Sequence, residues 1–151
     1  MPGHCKSKNK MIIIRKATIK DCKIVHGLSS AKELKTPRGD APELWWIEAF
    51  VKEKQIFFVA EDKNNKTLAG FVFGERTTGD IYILHEIFVR KEYRHHGIGT
   101  ILMKKAENEC RKRHLRVILL YGYNSKPMHK LLEEGGYEKG NPYNEFVKFL
   151  R

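Results

Sequence analysis

Apolar residues recur along this chain with two different periods, and the places where one period gives way to the other predict its elements. Residues 81–89, Ile-Tyr-Ile-Leu-His-Glu-Ile-Phe-Val, are apolar on both alternating faces except at Tyr82, His85 and Glu86, the pattern of a strand in the middle of a sheet. A polar turn follows. Ile98, Leu102, Ala106 and Cys110 then recur at every fourth position, which predicts a helix with one stripe against that sheet. A buried strand that passes through a glycine turn into a helix N-terminus gathers unpaired N–H groups and the positive end of the dipole at one spot, which suits a phosphate.

The rest of the chain reads in the same way. Residues 11–15 are a short β run, Thr18 with Asp21 marks a helix N-cap, and Ile24, Val25 and Leu28 supply that helix with an apolar face. Pro37 and Gly39 break the pattern. Pro42, at a first-turn position, opens a second helix striped by Leu44, Ile47, Phe50 and Val51. Of its two tryptophans, Trp45 and Trp46, one is expected in the core and one lining a cleft. Strands over 56–60 and 68–74 join across Asn64-Asn65, and Thr78-Gly79-Asp80 turns the chain into 81–89. Residues 117–121 form another apolar strand, a short helix carries Met128, Leu131 and Leu132, and Gly135-Gly136 ends it. Tyr137 and residues 146–150 predict a closing hairpin across Gly140-Asn141-Pro142.

Composition narrows the class. At 151 residues, 41% hydrophobic and 31% charged, the chain fits one soluble globular domain. Its apolar runs fall far short of the roughly 20 residues of a membrane span, so no membrane partner is expected. Residues 1–10 are polar and basic, without the apolar centre of a signal peptide, and predict a frayed tail. Three cysteines at unrelated positions, Cys5, Cys22 and Cys110, suit a reducing cytoplasm better than a disulfide framework. The net charge of +11 attracts polyanions, nucleic acid included. The densest basic cluster, Arg111, Lys112, Arg113, His114 and Arg116, sits at a helix C-terminus with no aromatics interleaved, so nucleic acid is the less favoured partner. His95 and His96 are adjacent and point apart, and no His-Glu-x-x-His occurs, so no metal is expected.

The spacing Arg94-x-x-Gly97-x-Gly99, with its strand before and helix after, resembles the acyl-CoA signature of the GNAT superfamily of N-acetyltransferases. A dinucleotide fingerprint would put a third glycine where Leu102 stands and an acidic residue about 20 positions on, which residues 117–122 lack. The element order β-α-α-β-β-β-α-β-α-β-β resembles the same family from about Met11 onward. This implies an α/β (α+β mixed) GNAT fold: a central mixed, mostly antiparallel sheet, helices on both faces and a splayed pair of central strands. A single N-acetyltransferase domain over 11–151 would follow the basic tail 1–10.

The resemblance further implies acetyl-CoA as cosubstrate, no metal, and direct attack by a primary amine of a protein or small molecule, in a monomer or homodimer. Pantetheine would pair with Ile87, Phe88 and Val89. N–H groups of His95, His96, Gly97, Ile98, Gly99 and Thr100 would hold the diphosphate, with Arg94 at the start of the cradle. Ser125 and Met128 stand where the family often has Asn-x-x-Ala and join the cofactor-binding set. Glu86, a carboxylate in an apolar strand where desolvation raises its pKa, is the candidate base, acting through a water. His85 belongs on the opposite face unless a bulge rotates it, and is the reserve proton shuttle. Leu132 stands where the family commonly has tyrosine. The general acid is then open among Tyr121, Tyr123, Tyr137 and His129, or is dispensed with, since a thiolate of pKa ~8.5 leaves without full protonation. Two other readings remain: a basic RNA- or ribosome-binding module, and an acyl-CoA-sensing pseudoenzyme. The acceptor stays open, Glu43 and Glu48 being placed either to attract a cationic amine or to be solvated.

Overall fold

The computed structural model describes residues 11–30, 42–121, 126–142 and 144, 146, 148 and 150. The expected tail 1–10, the break at Pro37 and Gly39, Tyr123 and Ser125 lie outside them. The elements are β1 (Ile12–Lys16), α1 (Ile19–Ser29), α2 (Leu44–Lys52), β2 (Phe57–Asp62), β3 (Thr67–Arg76), β4 (Ile81–Val89), a 3-10 turn (Lys91–Tyr93), α3 (Ile98–Lys112), β5 (Val117–Leu120) and α4 (Lys126–Glu134). Met1–Tyr121 and Gly122–Arg151 form two compact units.

The first unit is built on a five-stranded sheet in the order β1-β2-β3-β4-β5. Neighbours are antiparallel from β1 to β4, and β5 joins β4 in parallel, the mixed and mostly antiparallel sheet expected. Alternation along the strands feeds two cores. Phe57 and Val59 of β2 and Phe71 and Phe73 of β3 pack with Cys22 and Val25 of α1 and with Ile47 and Phe50 of α2. On the other face α3 lies over β2, β3 and β4, burying Ile98, Leu102, Ala106 and Cys110 as the stripe predicts. Lys105 on α3 sits 5.6 Å from the ring centre of Phe58.

Carboxylates fix the joints between elements. Asp21 reaches back to accept the Thr18 N–H at 2.7 Å, closing the N-terminus of α1, and takes both terminal nitrogens of Arg15 at 2.7 and 2.9 Å. Burial alone would raise the pKa of Asp21, but Arg15 and Thr18 outweigh it and hold the group below its ordinary value. Arg15 also bonds Glu61 at 3.1 Å and so ties β1 to β2.

Two irregularities shape β4. Phe73 pairs with Glu86 but Gly74 pairs with Leu84, so β4 carries one extra residue, His85, in a bulge. Gly74 makes room for it: a Cβ there would lie 2.1 Å from the Ile83 carbonyl oxygen and 2.7 Å from the Tyr82 hydroxyl. On its other edge β4 pairs with β5 only from Ile81 to Leu84. From His85 to Val89 that edge has no strand partner among the described residues, β5 ending at Leu120 opposite Leu84.

Three expectations change. α2 begins at Leu44 behind Glu43, so Pro42 precedes the cap instead of occupying the first turn. β5 exposes Val117 and Leu119 despite its composition, and among the described residues it is the last strand of the sheet. No strand is present among the described residues of 137–150, where Phe146 and Leu150 are exposed, and the rest of the expected hairpin lies outside the described residues. In the second unit α4 stops as predicted: Gly136 adopts φ +84° and the Tyr137 N–H reaches the Leu132 carbonyl at 2.9 Å. No helix among the described residues is long and apolar enough to cross a membrane.

Gly74→Ala is expected to cost about 1–3 kcal/mol, because the nearest obstructing atom is main chain and the Tyr82 ring beside it is wholly buried. Urea denaturation measures the loss, and the His85 imidazole resonances should move with it.

Candidate active site

The bulge decides which way the polar residues of β4 face. Successive residues of a strand alternate, so His85 and Glu86 would ordinarily lie on opposite faces. With the extra residue, both turn toward α1 and α2. The His85 ring packs edge-on to Trp46 at 5.1 Å and Phe50 at 5.4 Å, and its Nε2 lies 3.2 Å from Glu75 Oε1. Glu86 Oε2 accepts the Ser29 hydroxyl at 2.8 Å. Burial pushes the Glu86 carboxyl up to about 7, a rise that the Ser29 hydrogen bond only partly offsets. A carboxylate with that affinity gains and loses its proton near neutrality, as a general base requires. Trp46 touches both the core and His85, whereas Trp45 is exposed. Glu48 pairs with Lys52 at 3.6 Å, and Glu43 caps α2 with its backbone.

The main chain of β4 divides by parity. The Phe88 carbonyl points at β3, since a Cβ on Gly70 would lie 2.5 Å from it, and the Arg90 N–H donates to the Ala69 carbonyl at 2.8 Å. Alternation therefore aims the N–H and C=O groups of Ile87 and Val89 at the edge that β5 has left. Of the three residues expected to pair with pantetheine, Ile87 and Val89 present main chain there and Phe88 does not. Arg94 folds back over the strand, its guanidinium 5.3 Å from the Phe88 ring centre and its Nε donating to the Val89 carbonyl at 2.8 Å.

The turn after β4 is held from below. Asp62, almost wholly buried, accepts the Tyr93 hydroxyl at 2.8 Å and the Asn64 N–H at 3.1 Å, which clamps the 3-10 turn to the β2–β3 hairpin. Beyond it His95 and Gly97 take left-handed φ of +65° and +77°. Gly97 caps α3 without a side chain, and the first helical bond runs from the Ile101 N–H to the Gly97 carbonyl at 3.0 Å. The N–H groups of Ile98, Gly99 and Thr100 therefore have no acceptor within the helix and stand at the positive end of its dipole. The side chains of His95 and His96 are exposed.

The remaining candidates lie elsewhere. Met128, half-buried, is on α4 in the second unit with Leu132 and His129, and Ser125 is outside the described residues. Tyr121 is exposed just past β5. Among the described residues no group of three or more His, Cys, Asp or Glu could hold a metal ion, and Cys22 and Cys110 are free and buried. Ser29 and Glu75 were not singled out in the sequence. For Ser29 a signal was present: it extends the buried stripe of Cys22 and Val25 by one helical turn, and a buried hydroxyl needs a partner.

Residues 23–137 match the acetyltransferase (GNAT) family, and the chain belongs to that family. Members of it use acetyl-CoA. The chain is 25% identical over 114 residues to an uncharacterized N-acetyltransferase of Methanocaldococcus jannaschii, in an alignment that takes in 71% of this chain and 50% of that protein. It thus spans about half the length of that relative. The fold is shared with a predicted acetyltransferase from Clostridium acetobutylicum solved with acetyl-CoA, at TM-score 0.71 and 18% identity over 91% of this chain and 96% of the other. A ribosomal-protein-alanine N-acetyltransferase from Brucella melitensis biovar Abortus superposes at TM-score 0.68 and 18% identity, covering 91% of this chain and 99% of its own.

Tyr93→Phe removes the hydroxyl that Asp62 accepts and leaves that buried carboxylate short of a donor. The expected cost is about 1–3 kcal/mol in chemical denaturation.

Proposed function

We propose that the protein is an acetyl-CoA-dependent N-acetyltransferase in which a primary amine attacks the thioester directly in a ternary complex. The observation that carries this reading is the unpaired edge of β4: it begins where β5 leaves at Leu84, passes Glu86, and ends at the glycine turn that opens α3. The residues fit the cosubstrate, because a strand edge suits the amides of pantetheine and an uncapped helix N-terminus suits a diphosphate. On this reading Ile87 and Val89 pair with pantetheine. N–H groups of His95, His96, Gly97, Ile98, Gly99 and Thr100 hold the diphosphate, and Arg94 braces the strand end.

Bound acetyl-CoA supplies the acyl carbon, its C–S bond breaking as the C–N bond forms and the sulfur leaving as thiolate. Glu86 takes the proton of the amine through a water, and His85 with Glu75 offers that proton a route outward. Main-chain donors and positioning do most of the work. No side chain is assigned to the thiolate, whose ordinary pKa of ~8.5 lets it depart unaided. The acceptor is a primary amine on a protein or a small molecule. A nucleic-acid module is not favoured: within the basic cluster Arg111 bonds Asn108, Arg113 bonds Glu109, and Arg116 pairs with Asp80.

Acetyl-CoA at a hundred times its Kd should stabilise the protein by about 2.7 kcal/mol, read as a rise in Tm. Glu86→Gln is expected to lower kcat about 100-fold with acetyl-CoA affinity unchanged; full turnover at neutral pH would remove Glu86 from the mechanism. The wild-type rate should climb through pH about 7 as Glu86 ionises and level off above it. Stability should run the other way. Between the ordinary value of 4.5 and about 7 the folded form retains a proton that the unfolded chain has released, so the Glu86 contribution falls as pH rises across that window. Glu86→Gln should flatten that slope.

A further inference from the structure

We infer that Ser29 is a positioning residue for the base: its hydroxyl fixes Glu86 by Oε2 and favours the ionised carboxylate, leaving Oε1 to receive the proton. This rests on the reading of Glu86 given above and adds a residue from a different element. Ser29 is the last residue of α1, wholly buried, with its Oγ 2.8 Å from Glu86 Oε2 across 57 positions of sequence. Being buried, it is out of reach of an acceptor amine. Its role is therefore to act on Glu86. A hydroxyl can donate to either form of a carboxyl, but the bond to the charged form is the stronger, so the contact lowers the proton affinity that burial raises.

Among the described residues, Ser29 is the side chain that hydrogen-bonds Glu86. The titratable and charged groups on the packed elements are Tyr82 and His85 on β4 itself, Glu75 and Arg76 on β3, Glu48 and Lys52 on α2, and Lys20, Asp21, Cys22, Lys23 and His26 on α1. Glu75 pairs with His85, Glu48 with Lys52 and Asp21 with Arg15. The influences acting on Glu86 are burial and the Ser29 hydroxyl. The hydrogen bond also fastens the end of α1 to the strand that carries the base.

The test compares pH profiles of kcat/KM for wild type, Ser29→Ala and Ser29→Thr, with Glu86→Gln as reference and acetyl-CoA affinity measured for each. Ser29→Ala should move the acidic limb up by about one pH unit, a tenfold loss at pH 6 that closes by pH 9, with affinity for acetyl-CoA unchanged. Ser29→Thr, which keeps the hydroxyl, should return the limb toward its wild-type place. A limb that stays put in folded Ser29→Ala overturns the inference while leaving Glu86 as base. A limb that survives in Glu86→Gln defeats the base assignment itself. Should Ser29→Ala fail to fold, the unaltered chain still decides the matter by NMR. The buried Ser29 hydroxyl proton is expected to shift together with the titration of the Glu86 carboxyl carbon, and a hydroxyl signal indifferent to that titration overturns the proposal.

Discussion

Between Phe73 and Gly74 the ladder of β3 and β4 slips by one residue, and the surplus on β4 is His85. A single inserted residue reverses the parity of a strand beyond it, so the two halves of β4 present their side chains in different sequence. Without the slip, His85 would lie under α3 among apolar residues and Glu86 alone would face the first two helices. With it, imidazole and carboxylate share one face, each with its own partner, Glu75 for one and Ser29 for the other. The same strand loses β5 just before the bulge. The turned carboxylate and the exposed main chain lie beside one local defect, and Gly74 permits that defect by offering no side chain where the strands press together.

Three carboxylates on the described chain show how surroundings divide labour among chemically similar groups. Asp21 is met by a two-pronged Arg15 and the Thr18 amide, and its charge is secured. Asp62 is met by a phenol and a main-chain amide and serves as a buried knot between two turns. Glu86 is met by one neutral hydroxyl, and burial governs it. The first two hold the frame. The third is left with a proton that it can exchange near neutrality, at a cost in stability.

What could be read from the sequence was what is local. The stripe Ile98, Leu102, Ala106 and Cys110 repeats once per turn and was legible, as were the bounds of β4 and the glycine turn after it. The bulge was not, because a strand that is apolar on both faces carries no parity and a one-residue slip leaves no trace in such a pattern. The Ser29 contact to Glu86 and the Tyr93 contact to Asp62 were also invisible, since each joins residues brought together by tertiary packing alone. Alternation at the C-terminal end suggested a hairpin that the described residues do not form. Periodicity reports which face could be buried, and pairing needs a neighbour that the pattern does not name. Pro42 likewise marked the approach to α2 correctly and its first turn two residues early.

What the start of α3 offers an anion is peptide groups, and peptide groups are common to every amino acid. Such a surface is largely blind to mutation where the backbone is ordinary: the imidazole at His96 could be exchanged for almost any polar residue and the same hydrogens would still converge. Heritable constraint falls instead on two torsion angles, the +65° at His95 and the +77° at Gly97. In this stretch, then, the chain has freedom of spelling and little freedom of shape, and relatives with unlike letters here can close on the same anion.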